Sequence, residues 1–257
     1  MIFETHAHYD DGKFDQDREE LLGAMKEHGI GTIVNVGSDM ESSRWTAEAV
    51  GRYPMMYGAV GVHPSETEGM TTEDIEELKE LSQGDKIVAV GEIGLDYYWK
   101  EPDRRIQKKW FEAQMELAKD VKLPMIIHSR EAAKDTYDMM KASHAEEAGG
   151  VIHCYSYSRE MAKNFLDMGF YIGVGGVVTF KNGRTLKETV AYVPLDRIVL
   201  ETDCPYLAPE PIRGKRNSSF NLIYVARAIA EIKGISVEEV TAATEENAKK
   251  MYRMEGK

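Results

Sequence analysis

The sequence predicts a single (β/α)8 barrel spanning residues 1–257, and three observations carry that prediction. Eight short apolar runs rich in β-branched residues recur along the chain. Polar, amphipathic stretches separate them. The length of 257 residues lies close to the roughly 250 typical of such barrels. The alternation alone also admits a doubly wound parallel sheet; length favours the barrel. Hydrophobic residues make up 42% of the chain, enough for a large core, which excludes a disordered tail or a small disulfide-stapled scaffold.

The predicted strands are Ile2–Phe3, Ile30–Val36, Met55–Val62, Ile87–Val90, Pro124–Ile127, Val151–Ile152, Phe170–Val174 and Ile198–Leu200. Brief runs of this kind suit strands buried on both faces of a parallel sheet. The segments between them read as helices. From Asp103 to Lys122, the residues Ile106, Trp110, Ala113, Leu117 and Val121 fall on one helical face. Ile75, Leu78 and Leu81 form a shorter stripe. Near the end, Ser236 and Glu239 make a capping box, with Ile235 and Val240 placed as a hydrophobic staple.

Composition narrows the class further. No apolar run approaches the ~18 residues of a membrane span. The opening MIFETHAHYD has no basic stretch followed by an apolar one, so no secretory signal is expected. Cys154 and Cys204 do not form a framework, which suits a reducing compartment. A cytoplasmic monomer without a membrane or protein partner is the expectation. A net charge of -12 argues against a basic nucleic-acid coat. It leaves room for a phosphodiester substrate, because a bound metal and a local basic loop can hold phosphate on an acidic protein.

The histidines carry the functional signal. His6 and His8 form an HxH pair after the first run, and residues two apart on an extended chain point the same way. Glu92 ends KIVAVGE, His128 ends LPMIIH, His153 ends GGVIH and Asp203 follows RIVLET. All fall at the C-terminal ends of predicted strands, the face that carries barrel active sites. Imidazole and carboxylate donors suit Zn²⁺, Mn²⁺, Mg²⁺ or Fe²⁺. Four histidines and two carboxylates exceed the three protein ligands usual for one catalytic zinc. Two ions sharing Glu92 as a bridge account for the surplus. Glu201 shares the face of Asp203 and reads equally as an extra ligand, a supporting acceptor or a barrel-interior carboxylate. His63, in GVHP, is a candidate phosphate contact; His28 and His144 read as surface residues. Cys154 and Cys204, each next to a proposed ligand, are expected to turn away and pack.

The motifs ETHAHYD, GVHP, GEIGLDYY, LPMIIHSRE, VIHCYS and LETDCPYL stand in an order and spacing that resembles the TatD family of metal-dependent deoxyribonucleases, within the amidohydrolase-like superfamily. The resemblance runs from Ile2 to TEENAKKMY. It implies metal-dependent hydrolysis of DNA from an end, with His6, His8, Glu92, His128, His153 and Asp203 as metal ligands. Where family members carry RGKRNEP, this chain reads Arg213–Asn217 as RGKRN but has Ser218 and Ser219 in place of the acidic residue and proline. Loss of the proline predicts a looser loop.

The resulting expectation is a metal-dependent phosphodiesterase with DNA as substrate. Asp203 is the candidate general base, able to hold metal and the attacking water together. Glu92 is the bridge. Arg130, Arg213, Lys215 and Arg216 are the candidate phosphate contacts, and Tyr97, Tyr98 and Trp99 are placed to stack on bases. An amide or ester hydrolase on the same scaffold, and a metal-binding protein without turnover, are the competing readings.

Overall fold

A computed structural model describes residues 1–255; Gly256 and Lys257, the end of the expected domain, lie outside the described residues. Eight parallel strands follow one another in sequence order around a barrel. They are β1 (Ile2–Ala7), β2 (Ile30–Val36), β3 (Met56–Val60), β4 (Ile87–Asp96), β5 (Met125–Arg130), β6 (Gly150–Ile152), β7 (Tyr171–Val174) and β8 (Ile198–Leu200). Consecutive order excludes the doubly wound alternative, whose strand order reverses at a switch point. Helices α1 (Arg18–Ala24), α2 (Met40–Arg52), α3 (Thr72–Leu81), α4 (Arg104–Val121), α5 (Ala133–Ala142), α6 (Arg159–Asp167), α7 (Arg184–Tyr192) and α8 (Leu222–Lys233) alternate with the strands, and α9 (Val237–Met251) follows.

The helices begin and end where local chemistry stops them. Asp103 caps α4 by accepting the Arg105 N–H, and Lys122 closes it in the left-handed region at φ 59°. The capping box of Ser236 and Glu239 starts α9 as predicted. Three strands outrun their apolar runs, β5 continuing past Ile127 through His128 and Ser129 to Arg130. β1 continues through Glu4, Thr5 and His6, and β4 through Glu92 to Asp96. Polar residues are tolerated there because neighbouring strands take up the backbone hydrogen bonds and the side chains find partners inside the barrel.

Inward and outward residues alternate. Ile33, Ile127, Ile152 and Leu200 face the helices in the larger apolar cluster. Phe3, Val34, Ala89, Ile126, Val151 and Val199, drawn from strands all round the barrel, meet in a second cluster with Met251, Tyr252 and Met254. This second cluster fills the barrel interior from the strands' N-terminal ends. Phe3 stacks on Tyr252, and the Tyr252 hydroxyl donates to the Thr5 carbonyl at 2.8 Å.

Closure between β1 and the segment after β8 is stitched by side chains as well as backbone. The Asp203 N–H donates to His6 O at 3.0 Å and the His8 N–H to Cys204 O at 2.8 Å. Glu4 accepts from the Thr202 N–H at 2.8 Å and from its hydroxyl at 2.7 Å. Burial pushes the Glu4 carboxyl up to about 8, against the hydrogen bonds from Thr202.

Candidate metal centre

Above the apolar plug the inward face turns polar. In β5, β6 and β8 the alternation runs Ile126–Ile127–His128, Val151–Ile152–His153 and Val199–Leu200–Glu201. Each strand therefore contributes an apolar layer to the plug and a polar residue to the layer above it. Between β4 and β5 the backbones approach closely at Gly94: at φ 148°, a Cβ there would lie 1.9 Å from the His128 carbonyl oxygen. Only glycine permits that contact.

Glu92 sits at the middle of this layer, and its two oxygens face different ways. Oε2 lies 3.3 Å from His6 Nε2 and 3.7 Å from His8 Nε2. Oε1 lies 2.7 Å from His128 Nδ1, 3.2 Å from His153 Nε2 and 3.8 Å from His63 Nε2. Asp203 joins the first group, its Oδ1 3.7 Å from His6 Nε2 and 3.3 Å from His8 Nε2. The Nε2 atoms of His6 and His8 are 3.0 Å apart. Neighbouring donors around a tetrahedral zinc with bonds of about 2.0–2.1 Å lie about 3.3 Å apart, so these separations fit donors that share a cation. All six predicted ligands thus converge.

The far side of each ring shows which nitrogen is offered. His8 Nδ1 lies 2.8 Å from the Val36 carbonyl and donates to it, so Nε2 is the nitrogen that faces Glu92 and Asp203. His128 is held the other way round: Asp96 Oδ2 is 3.1 Å from Nε2, so Nδ1 faces Glu92. Carboxylates and carbonyls behind metal-ligating histidines set tautomer and orientation in this manner. Asp96 escaped the sequence reading because β4 was expected to stop at Val90. Continued alternation along the strand would have found it, since Glu92, Gly94 and Asp96 share one face.

Glu201 stands behind His153, its Oε2 3.4 Å from His153 Nδ1, and not among the atoms facing Glu92. Its Oε1 accepts the Cys154 N–H at 2.6 Å. The notch that admits this carboxylate is Gly173, where a Cβ would meet Glu201 Oε2 at 2.4 Å. Three buried atoms here lack a hydrogen-bond partner: His6 Nδ1, His153 Nδ1 and Glu201 Oε2. The rings of His6 and His153 stack with centroids 3.7 Å apart. Glu201 therefore backs a pair of imidazoles that belong to opposite sides of Glu92.

Carboxylates and imidazoles in this cluster act on one another: against the effect of burial, Asp203 raises His8 to about 9. Burial opposes ionisation of Glu92, yet the histidines around it, His153 foremost, hold its carboxyl well below the usual range. Asp203 is likewise lowered, by the hydrogen bond from His8 and the neighbouring histidines against its burial. His63 behaves differently. Burial, and then the charge on His128, push it down to about 3. The Ser65 N–H donates to its Nδ1 at 3.1 Å, so the proton sits on Nε2, which points at Glu92. His63 thus offers the site a neutral N–H donor.

The centre forms the floor of a cavity of about 780 Å³, lined among others by His63, Trp99, Arg130, Asp203 and Tyr206. Cys154 also lines it, contrary to the expectation that it turns away. β6 ends at Ile152, and Cys154 lies in the left-handed region at φ 46°, so strand alternation no longer sets its direction. Cys204 is buried as expected. Tyr97 packs inward: its hydroxyl donates to Asp135 at 2.7 Å and Arg104 covers its ring.

Arg213, Lys215 and Arg216 are exposed and do not line this cavity. Arg216 is taken up by an ion pair with Asp17 and a 2.7 Å hydrogen bond to the Lys13 carbonyl. Arg213 lies over Phe180. The Ser218–Ser219 segment is tied down and not loose. Ser219 is buried; its N–H donates to the Tyr9 hydroxyl at 3.0 Å, which donates back to Ser219 Oγ at 2.9 Å. A proline at 219 has no N–H to give. His28 and His144 are exposed, as read, with His28 stacked on Phe220.

Residues 3–253 match the family model described as TatD related DNase. This chain belongs to that family. It is 44% identical over 254 residues to the uncharacterized metal-dependent hydrolase YabD of Bacillus subtilis, covering 99% of this chain and 100% of that one. It is 34% identical to the uncharacterized metal-dependent hydrolase TatD of Mycobacterium tuberculosis, covering 98% and 97% respectively. The crystal structure of the Escherichia coli TatD homologue YjjV superposes with a TM-score of 0.93 at 29% identity, over 98% of each chain. As a TatD-family member the chain is a metal-dependent hydrolase, and its barrel is that of the family.

Proposed function

We propose that this TatD-family chain hydrolyses phosphodiester bonds of DNA, using two divalent ions held on either side of Glu92. The observation that carries the proposal is the split of Glu92: one oxygen faces His6 and His8, the other His128 and His153. His6, His8, Glu92 and Asp203 would hold one ion, and Glu92, His128 and His153 the other. Bound ions supply an acidified water for attack at phosphorus and neutralise charge developing on the phosphate oxygens.

The chain's own residues do the rest. Asp203 opens onto the cavity and takes the proton of the attacking water. The neutral His63 donates its Nε2–H to a phosphoryl oxygen, at no cost of discharging a cation. Asp96 and Glu201 keep His128 and His153 from rotating away. Arg130, on the cavity wall, pairs with a phosphate next to the scissile one. Arg213 and Lys215 extend the positive surface to phosphates outside the cavity, while Arg216 keeps Asp17 and the loop in place.

The decisive assay incubates the purified protein with Mg²⁺, Mn²⁺ or Zn²⁺ and single-stranded DNA, double-stranded DNA, RNA and a model carboxylic ester. Metal-dependent release of nucleotides from DNA is expected, abolished by chelation. Turnover of the ester or of an amide with all DNA left intact would overturn the DNA reading in favour of the amide or ester hydrolase.

A further inference from the structure

Five large hydrophobic side chains are conspicuously exposed among the described residues: Met1, Tyr98, Trp99, Tyr192 and Tyr206. Trp99 and Tyr206 line the cavity over the metal centre, and Tyr98 touches Trp99; Met1 and Tyr192 do not line it. Trp99 is 58% exposed and Tyr206 46%. Large aromatic surface left in water at the mouth of a charged site costs free energy unless a ligand covers it.

Both rings are held in place rather than left loose. The Tyr98 N–H donates to Asp96 Oδ1 at 3.0 Å, and Asp96 Oδ2 holds His128. The guanidinium of Arg130 covers one face of Tyr98 at 3.8 Å from the ring centre. Tyr98 and Trp99 meet edge to face at 90°, 4.8 Å between centroids. An edge-to-face pair occupies at most one face of either ring, so Trp99 keeps a free face. Across the chain, Tyr206 donates its hydroxyl to Asp11 at 2.7 Å, and Lys13 sits 4.0 Å above one face of the ring. The rim therefore alternates rings and cations, Trp99 near Arg130 and Tyr206 near Lys13. Bases stack on such rings while the cations take the flanking phosphates.

We infer that Trp99 and Tyr206 are nucleobase-stacking residues that set substrate preference, each taking a base next to the scissile phosphate. The inference rests on the DNA reading above and adds to it the residues that recognise the base. The same Asp96 carboxylate thus holds the candidate ligand His128 and fixes the backbone of Tyr98, the residue against which Trp99 packs.

The test uses the dinucleotide TpT and two analogues, each with one base replaced by hydrogen on an otherwise intact sugar-phosphate. For the wild-type protein, removing a base lowers kcat/KM by about tenfold, in line with stacking on one aromatic ring. In Trp99→Ala the ratio between TpT and one analogue falls toward one; in Tyr206→Ala the ratio for the other analogue falls. Trp99→Phe restores most of the discrimination. A binding measurement needs no turnover: thymidine monophosphate quenches tryptophan fluorescence of the wild-type protein, deoxyribose 5-phosphate does not, and the quench is lost in Trp99→Phe. Trp110 is buried and Trp45 does not line the cavity, so Trp99 is the reporter. Equal cleavage of TpT and both analogues by the wild type overturns the stacking inference and leaves the DNA reading standing. An equal loss on all three substrates in both alanine variants overturns it too. Failure to cleave any DNA removes the DNA reading; quenching by thymidine monophosphate alone would still decide whether Trp99 binds a base.

Discussion

Glu92 and Glu201 divide the work of the centre between them. Glu92 touches donors on both sides, so Glu92→Ala removes a ligand from each. Elemental analysis of the wild type at saturation is expected to find more than one divalent ion per chain, and the variant to lose both with the barrel still folded by circular dichroism. One ion per chain with full activity would rule out the bridged pair. Glu201 faces His153 Nδ1 at 3.4 Å, and in the proposed centre it acts through that ring. Glu201→Gln should weaken metal affinity about 10–100-fold, the usual cost of removing a partner behind a metal-ligating histidine. Gly173→Ala should do the same, because its Cβ would meet Glu201 Oε2 at 2.4 Å. Combined, the two changes should cost no more than either alone, since both act on one carboxylate; additive losses measured by competition with a chelating dye would refute the shared route. Arg130→Ala should flatten the salt dependence of single-stranded DNA binding by about 0.7 in log–log slope, one phosphate contact's share. Arg216→Ala should leave that slope alone, because its guanidinium is held by Asp17.

At the scale of elements, the loops that present the site depend on how neatly each helix and strand is ended. Lys86, just before β4, shows how. Its Nζ, with three N–H groups to share, lies 2.9–3.1 Å from the carbonyls of Val50, Tyr53, Pro54 and Met56, gathering the C-terminal end of α2 and the start of β3. Helix C-termini leave carbonyls without partners, and a cation there is stabilising. Lys86→Met should lower stability by about 1–3 kcal/mol in urea unfolding, the cost of leaving such acceptors unpaired, with metal affinity unchanged. A loss below a few tenths would mean that water replaces the ammonium. Strand extents show where sequence reading stops. β8 matches its run of three apolar residues, and β2 matches although it buries Asn35, whose side chain is hydrogen-bonded to Tyr9, Asp10 and Thr46. β1 and β4 run on through polar residues that only a polar barrel interior makes acceptable.

For the whole molecule, the proposed metal layer lies between the apolar plug and the open cavity and draws its candidate ligands from β1 and the residue after it, from β4 and β5, and from the segments after β6 and β8. Filling it should therefore stabilise the entire barrel. A ligand that binds only the folded state at a hundredfold excess over its Kd adds about 2.7 kcal/mol. Thermal unfolding should shift upward by several degrees on adding Zn²⁺ or Mn²⁺ and return on chelation. Asp203→Ala should show a smaller shift; an unchanged one would remove Asp203 from the ligand set.

Much of this protein is decided locally. The apolar runs, the helical stripe of α4 and the Ser236–Glu239 box are patterns of neighbouring residues, and they fix elements because hydrogen bonding and burial act over a few positions. The convergence of the six candidate ligands was legible for the same reason: parallel strands send their C-terminal ends to one face, so polar residues ending apolar runs must meet. What the chain order does not carry is direction beyond a strand's end and distance between strands. Cys154 and Asp203 both follow their strands in the left-handed region and line the cavity. Asp96 and Glu201 acquire their roles from rings on other strands, through contacts of 3.1 and 3.4 Å. Arg216, part of an attractive basic motif, is claimed by Asp17, 199 residues away in sequence. Partner choice among charged groups depends on separation in space, and only closure of the barrel sets that separation.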